Sequence, residues 1–163
     1  MKVLSLTESY ATLIKEKRKL IETRSWKTSY RGELYIHANM TKPQKNVLEN
    51  KDLMSLVKNK DMNFGKIICK CNLVDCIYIT KEFIESMKKN NYQEYICGNY
   101  EEGRYAWILE NIETIKSIDV KVNIKMYKKL KIKMYNFYID SDSSESNFIL
   151  FLILYELPFI LII

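Results

Sequence analysis

Lys19, Glu22 and Arg24 are the residues of this sequence best spaced to do chemistry together. On an extended strand, residues two apart share a face, so Glu22 and Arg24 point the same way. A guanidinium beside a carboxylate keeps it ionised and fixes its orientation. Lys19 sits at the turn leading into that strand and can swing into the same space. Lysine, glutamate and arginine converging in a cleft can bind a polar base or a phosphate. They can also move protons, if burial frees the lysine amine. The plainer alternative is a surface salt bridge on a sheet. Tyr10, Trp26, Tyr105 and Trp107 would stack on a base if they line the cleft, and would pack a core otherwise. His37 points away from the Leu34 and Ile36 face, either as a hydrogen-bonded strand residue or as a cleft residue.

Charge supports an anionic partner. Residues 1–45 hold ten Lys/Arg against four acids, equal to the whole formal excess of +6 in the chain. Lys27 and Arg31 extend this basic region past the Lys19–Arg24 segment, where cations would hold phosphates. Other chemistries are disfavoured. The chain has 4 Gly and 2 Pro and no Gly-x-Gly-x-x-Gly or Walker-type segment, against a Rossmann or P-loop enzyme. With 1 His, mechanisms that need two imidazoles are excluded. Cys69-x-Cys71 lacks a second ligand pair, and on a strand Ile67, Cys69, Cys71 and Leu73 form one apolar face. No metal site and no cofactor is therefore expected. Met1 is followed by a strand-like run rather than a signal-peptide core, so free thiols in a reducing cytoplasm are expected.

A chain of 163 residues with 47% hydrophobic and 28% charged residues has ordinary globular composition for one domain. Lys2–Leu6 alternates as a strand, and Thr7 is placed to cap a helix over Glu8–Arg18 carrying Tyr10, Leu13 and Ile14. Strands follow at Leu20–Ser25 and Glu33–Ala38. Lys45–Asn59 reads as one amphipathic helix, Phe64–Ile79 contains a long strand, Thr80 caps a short helix to Lys89, and Arg104–Ile115 is a strand. Strands and helices alternate without the cadence of repeated βαβ units, which favours an α+β barrel over a doubly wound sheet.

Lys17-Arg18-Lys19-Leu20-Ile21-Glu22-Thr23-Arg24 resembles the G-x-K-x-x-E-x-R motif of the ASCH (activating-signal-cointegrator homology) domain, within the PUA-like superfamily. Lys19, Glu22 and Arg24 match, and Lys17 replaces the motif glycine. The flanks are similar too. Leu4-Ser5-Leu6-Thr7-Glu8-Ser9-Tyr10-Ala11 resembles the family's opening, with Ser9 where proline is usual. Trp26, Tyr30-Arg31-Gly32-Glu33-Leu34-Tyr35-Ile36-His37-Ala38, Phe64–Ile67, Leu73–Cys76 and Tyr105–Leu109 continue the likeness as far as about Lys121. The resemblance implies an α+β fold: a PUA-like mixed β-barrel with flanking helices and a cleft holding Lys19, Glu22 and Arg24. It implies binding of RNA or a modified nucleobase, with Tyr10, Trp26, Lys27, Arg31 and His37 as further candidate contacts. Its alternatives are a small hydrolase of a modified nucleoside or RNA, using Lys19 and Glu22, and a protein-interaction domain with a vestigial cleft. Family amidohydrolases of acetylated cytidine carry threonine where this chain has Glu22, which speaks against copying their mechanism.

The likeness ends at a change of composition. The family's closing K-G-x-x-G-x-W is absent, and residues 120–139 hold six lysines and no acid. Asp140–Ser146 is acidic and serine-rich, and Phe148–Ile163 is almost wholly apolar. The expected organisation is an ASCH-like domain over 1–121 and an atypical, poorly ordered tail over 122–163. A helix of that last apolar stretch would reach roughly 24 Å, short of a roughly 30 Å hydrocarbon core. Glu156 and Pro158 further disfavour a tail anchor, so a membrane partner is not expected. Limited proteolysis is expected to remove the region beyond Asp140 and leave a folded core. A tail as protected as the strands would overturn that division.

Overall fold

The computed structural model describes residues 1–58, 60–120 and 161–162. The elements run β1 (Lys2–Leu6), α1 (Glu8–Lys15), β2 (Ile21–Arg24), β3 (Gly32–Ala38), α2 (Lys45–Glu49), α3 (Lys51–Val57), β4 (Lys66–Tyr78), α4 (Lys81–Asn90), α5 (Tyr92–Ile96), β5 (Tyr105–Asp119) and β6 (Leu161–Ile162). The strands form one mixed sheet in the order β2-β5-β4-β3-β1-β6. Pairs β3–β4, β4–β5 and β2–β5 are antiparallel, and β1 runs parallel to β3 and to β6. The expected α+β class is observed, but the closed barrel is not. Among the described residues β2 and β6 stand at opposite edges of an open sheet. Closure needs strand-to-strand hydrogen bonds along both edges. On β2, side chains take that place, as described below. Apart from β6, the expected 122–163 tail lies outside the described residues.

Two faces of short elements set the core. Helix α1 carries Ala11 and Ile14 into a cluster with Leu4, Leu6, Leu34, Ile36, Cys69, Cys71 and Trp107. Its Leu13, with Tyr10 beside it, joins Leu53, Val57 and Cys97 in a second cluster. Residues three and four apart lie close on a helix, so eight residues suffice to bridge two cores. Strand β2 is likewise two-sided. Glu22 pairs with Trp107 and Thr23 with Ala106. Trp107 belongs to the α1 cluster, whereas Ala106 and Ile21 belong to a third cluster with Phe83, Ile84 and Tyr100.

Several local expectations are corrected. Lys45–Asn59 is two helices rather than one, because Asn50 leaves the helical region (φ −75°, ψ 96°). Its side chain accepts the Leu53 N–H at 3.0 Å and so caps α3. Thr80 caps α4 as expected, accepting from Phe83 N–H, but the Thr7 hydroxyl makes no capping bond. On β4 the expected residues Ile67, Cys69, Cys71 and Leu73 are all buried, and Ile68 is buried as well, where the ladder to β5 shifts register between Ile67 and Cys69. Helix α5 and the reach of β5 to Asp119 were not expected.

Lys17 explains the motif glycine it replaces. It has φ 58°, the left-handed region. Its N–H donates to the Ile14 carbonyl, and the Arg18 N–H donates to the Leu13 carbonyl. This is the Schellman closure of α1, whose left-handed residue is usually glycine. A side chain there costs about 1–2 kcal/mol, partly offset because lysine loses less backbone entropy on folding than glycine. Lys17→Gly is therefore expected to raise stability by about 0.5–1 kcal/mol in urea unfolding. Lys17→Val, β-branched, should lower it.

Candidate functional site

Five residues separate the end of α1 from Ile21, and the Schellman turn aims Lys19 inward. Lys19 is 1% exposed. Its Nζ donates to the carbonyls of Ile21 at 2.5 Å and Cys97 at 2.8 Å, and lies 3.4 Å from Glu22 Oε2. The Tyr10 ring covers it at 5.6 Å. Glu22 Oε1 in turn faces Arg24 Nε at 3.4 Å. That Nε is buried and lacks an aligned hydrogen bond, so the contact is an ion pair only. Arg24 Nη2 donates to the Ser5 carbonyl of β1 at 3.3 Å. The guanidinium lies 5.2 Å from the ring of Trp26, which is 44% exposed. Trp26 stands edge-on to buried Trp107, 6.0 Å between centroids.

The structure thus brings Tyr10, Lys19, Glu22, Arg24 and Trp26 together. They form a gradient from a buried ammonium, through a nearly buried carboxylate, to a half-open arginine–tryptophan pair. Lys27 is exposed on the loop after β2. Arg31 is turned to the surface, where it donates to Asp75 Oδ1 at 2.9 Å. Tyr105 packs edge-on against Tyr78, and Trp107 is core. His37 is a buried strand residue whose Nδ1 lies 3.0 Å from Ser5 Oγ. Ser5 is its one link to the cleft, through the carbonyl that Arg24 holds.

Glu94 is the residue that sequence reasoning missed. It lies on α5 and is 2% exposed. Its carboxylate accepts the N–H groups of Leu20 at 2.6 Å and Ile21 at 3.1 Å, and the Tyr100 hydroxyl at 3.3 Å. Ile21 is therefore gripped on both sides, its N–H by Glu94 and its carbonyl by Lys19. Further along, Asn99 N–H donates to Thr23 Oγ1 and Arg104 to the Thr23 carbonyl. Side chains thus take the N–H and carbonyl of Ile21 and the carbonyl of Thr23 on the edge of β2 where a barrel would place a strand. Gly98 allows this approach, since a Cβ there would lie 2.7 Å from the Tyr100 ring. Asn91, which accepts the Glu94 N–H as a cap, and Gly98 were the available sequence signals for α5.

Burial sets the protonation of the site. It raises the Glu94 carboxyl above its ordinary range, against the opposing pull of Lys19 and the two backbone amides. Burial, then the Glu22 carboxylate, raises the Tyr10 phenol, which stays protonated. Burial pushes Cys97 up to about 11 and Cys69 and Cys71 up to about 12, which removes these thiols as nucleophiles at neutral pH. No group of three or more metal-ligating side chains occurs among the described residues, and no helix there is long and apolar enough to cross a membrane.

Residues 4–119 match the ASCH domain family, and the chain belongs to it. Activating signal cointegrator 1 of Homo sapiens is 29% identical over 132 residues, and that of Mus musculus 28%. Each match takes in 74% of this chain, which spans 22% of the length of either relative. Among solved structures, the ASCH protein of Zymomonas mobilis is 16% identical, with a TM-score of 0.46 over 72% of this chain and 73% of its own. A point mutant of that protein scores 0.45 at 17% identity, over 72% and 75%.

His37 offers a clean probe of this region, being the chain's single histidine. Burial lowers its pKa below the ordinary 6.5. An NMR titration of its ring protons should show a midpoint below 6.5, and a midpoint at or above it would contradict the burial. Below pH 6.5 the unfolded chain takes the proton first, so this group's share of stability falls as pH drops toward the folded midpoint. His37→Asn should flatten that part of the stability–pH profile.

Proposed function

We propose that this chain is an RNA- or modified-nucleobase-binding module whose ligand lies over Glu22, Arg24 and Trp26, with Lys19 beneath. The observation that carries this reading is the half-exposed Trp26 ring beside the Arg24 guanidinium, backed by the carboxylate of Glu22. An exposed indole offers a face on which a base stacks, worth about 1–3 kcal/mol per base. Arginine and glutamate beside it supply a donor and an acceptor for a base edge or a phosphate. Exposed Lys27 and the excess of cations over residues 1–45 supply the field that gathers a polyanion. The family supports this in kind, and a cytoplasmic setting accords with four free cysteines.

A hydrolase of a modified nucleoside or RNA is the second reading. One observation favours it: Lys19 Nζ and Glu22 Oε2 stand 3.4 Å apart, an amine and a carboxylate placed to move a proton. A protein-interaction role is the outcome if no nucleic acid binds.

Fluorescence anisotropy with single-stranded RNA should show log Kd rising linearly with log salt, by about 0.7 per phosphate neutralised. Arg24→Ala should weaken binding roughly tenfold or more, through its own contacts and through loosened Glu22. Trp26→Ala should cost about 1–3 kcal/mol of affinity, the stacking contribution. No detectable binding at low salt to any of a panel of RNAs would defeat the proposal.

A further inference from the structure

We propose that Lys19 and Glu94 are positioning residues that build the site without touching its ligand, which meets only Glu22, Arg24 and Trp26. This deepens the binding reading above and rests on it for the identity of the ligand, but not for the state of the lysine. An ammonium has three N–H donors. Those of Lys19 face the Ile21 carbonyl, the Cys97 carbonyl and Glu22 Oε2, with the Tyr10 ring on a further side. At 1% exposure, no donor is left over for a phosphate or a base. A deprotonated amine would keep its two N–H donors on the backbone carbonyls, so its lone pair could open only toward Glu22 Oε2, a position that 1% exposure closes to a ligand. Its task is therefore spatial. With Glu94 it clamps both hydrogen-bonding groups of Ile21, and its charge holds Glu22 beside it in place. The motif lysine of this chain is thus a buttress, and the arginine two residues past the glutamate is the cation that reaches outward.

The test is acetylation of the folded full chain with an N-hydroxysuccinimide acetate, read lysine by lysine by peptide mass spectrometry. Exposed Lys17 and Lys27 should be modified readily. Lys19 should react at least a hundredfold more slowly, reaching their rate only in urea. Modification of Lys19 within a few-fold of Lys17 in the folded chain would overturn the proposal. This outcome is independent of whether RNA binds, so its failure is distinguishable from failure of the binding reading. A second measurement uses the salt dependence of RNA binding. A lysine that contacts phosphate adds about 0.7 to the slope of log Kd against log salt. Lys19→Met, if folded by circular dichroism, should weaken binding with that slope unchanged, and a slope reduced by about 0.7 would also overturn the proposal. Glu94→Gln, which keeps one amide acceptor, should retain more affinity than Glu94→Ala at equal salt slope. If the Lys19 variant does not fold, the acetylation of the native chain decides alone.

Discussion

The free edge of strand β2 is the constraint on which the site depends. The strand has four residues and, among the described residues, only β5 as a neighbour. A four-residue edge has too little ladder to hold its own geometry, and unpaired backbone groups buried there would each cost a lost hydrogen bond. Glu94, Lys19 and Arg104 answer this with side chains, taking the N–H and carbonyl of Ile21 and the carbonyl of Thr23. Through that edge α5 and its following loop are fastened to the motif strand. Helix α1 contributes from the other end, since its Schellman turn fixes where Lys19 enters.

Burying charge in this way is costly unless each charge is paired and hydrogen-bonded. Lys19 and Glu94 meet that condition with hydrogen bonds, sharing the backbone of Ile21: Lys19 takes its carbonyl and Glu94 its N–H. Removing Lys19 would leave Glu22 with Arg24 as its remaining counter-charge and the carbonyls of Ile21 and Cys97 without this donor. The remaining charges step outward. Glu22 sits between two cations, and Arg24 has one further partner, the Ser5 carbonyl, before it reaches the open ring of Trp26. Rigidity at the buried end and availability at the open end suit a preorganised recognition site.

The sheet supplies the floor. The long β4–β5 ribbon changes register three times, and each shift re-aims side chains that strict alternation would have faced elsewhere. One result is Cys76 opposite Trp107, with Trp107 opposite Glu22 on its other side. The indole of Trp107 then stands edge-on to the ring of Trp26 and donates to the Trp26 carbonyl. The core and the site are for this reason continuous, and the α1 cluster that buries Trp107 also sets the depth of the cleft.

The sequence by itself determined the strand pairing of roles in Lys19–Arg24, since a period of two places Glu22 and Arg24 on one face whatever surrounds them. It determined the helix at Glu8, the cap at Thr80, and, through the motif and its flanks, the family. These are local facts, carried by side-chain periodicity and by short spacing. Only the tertiary structure decided that Lys19 is sealed beneath Glu22, because its partner Cys97 lies 78 residues away, and the Glu94 that holds Leu20 and Ile21 is similarly distant. It also decided that the sheet stays open among the described residues, that Arg31 turns to Asp75, and that His37 turns to Ser5. Each of these rests on pairing across distant segments. Register shifts and edge coverage fix such pairing, and neither leaves a periodic trace along the chain.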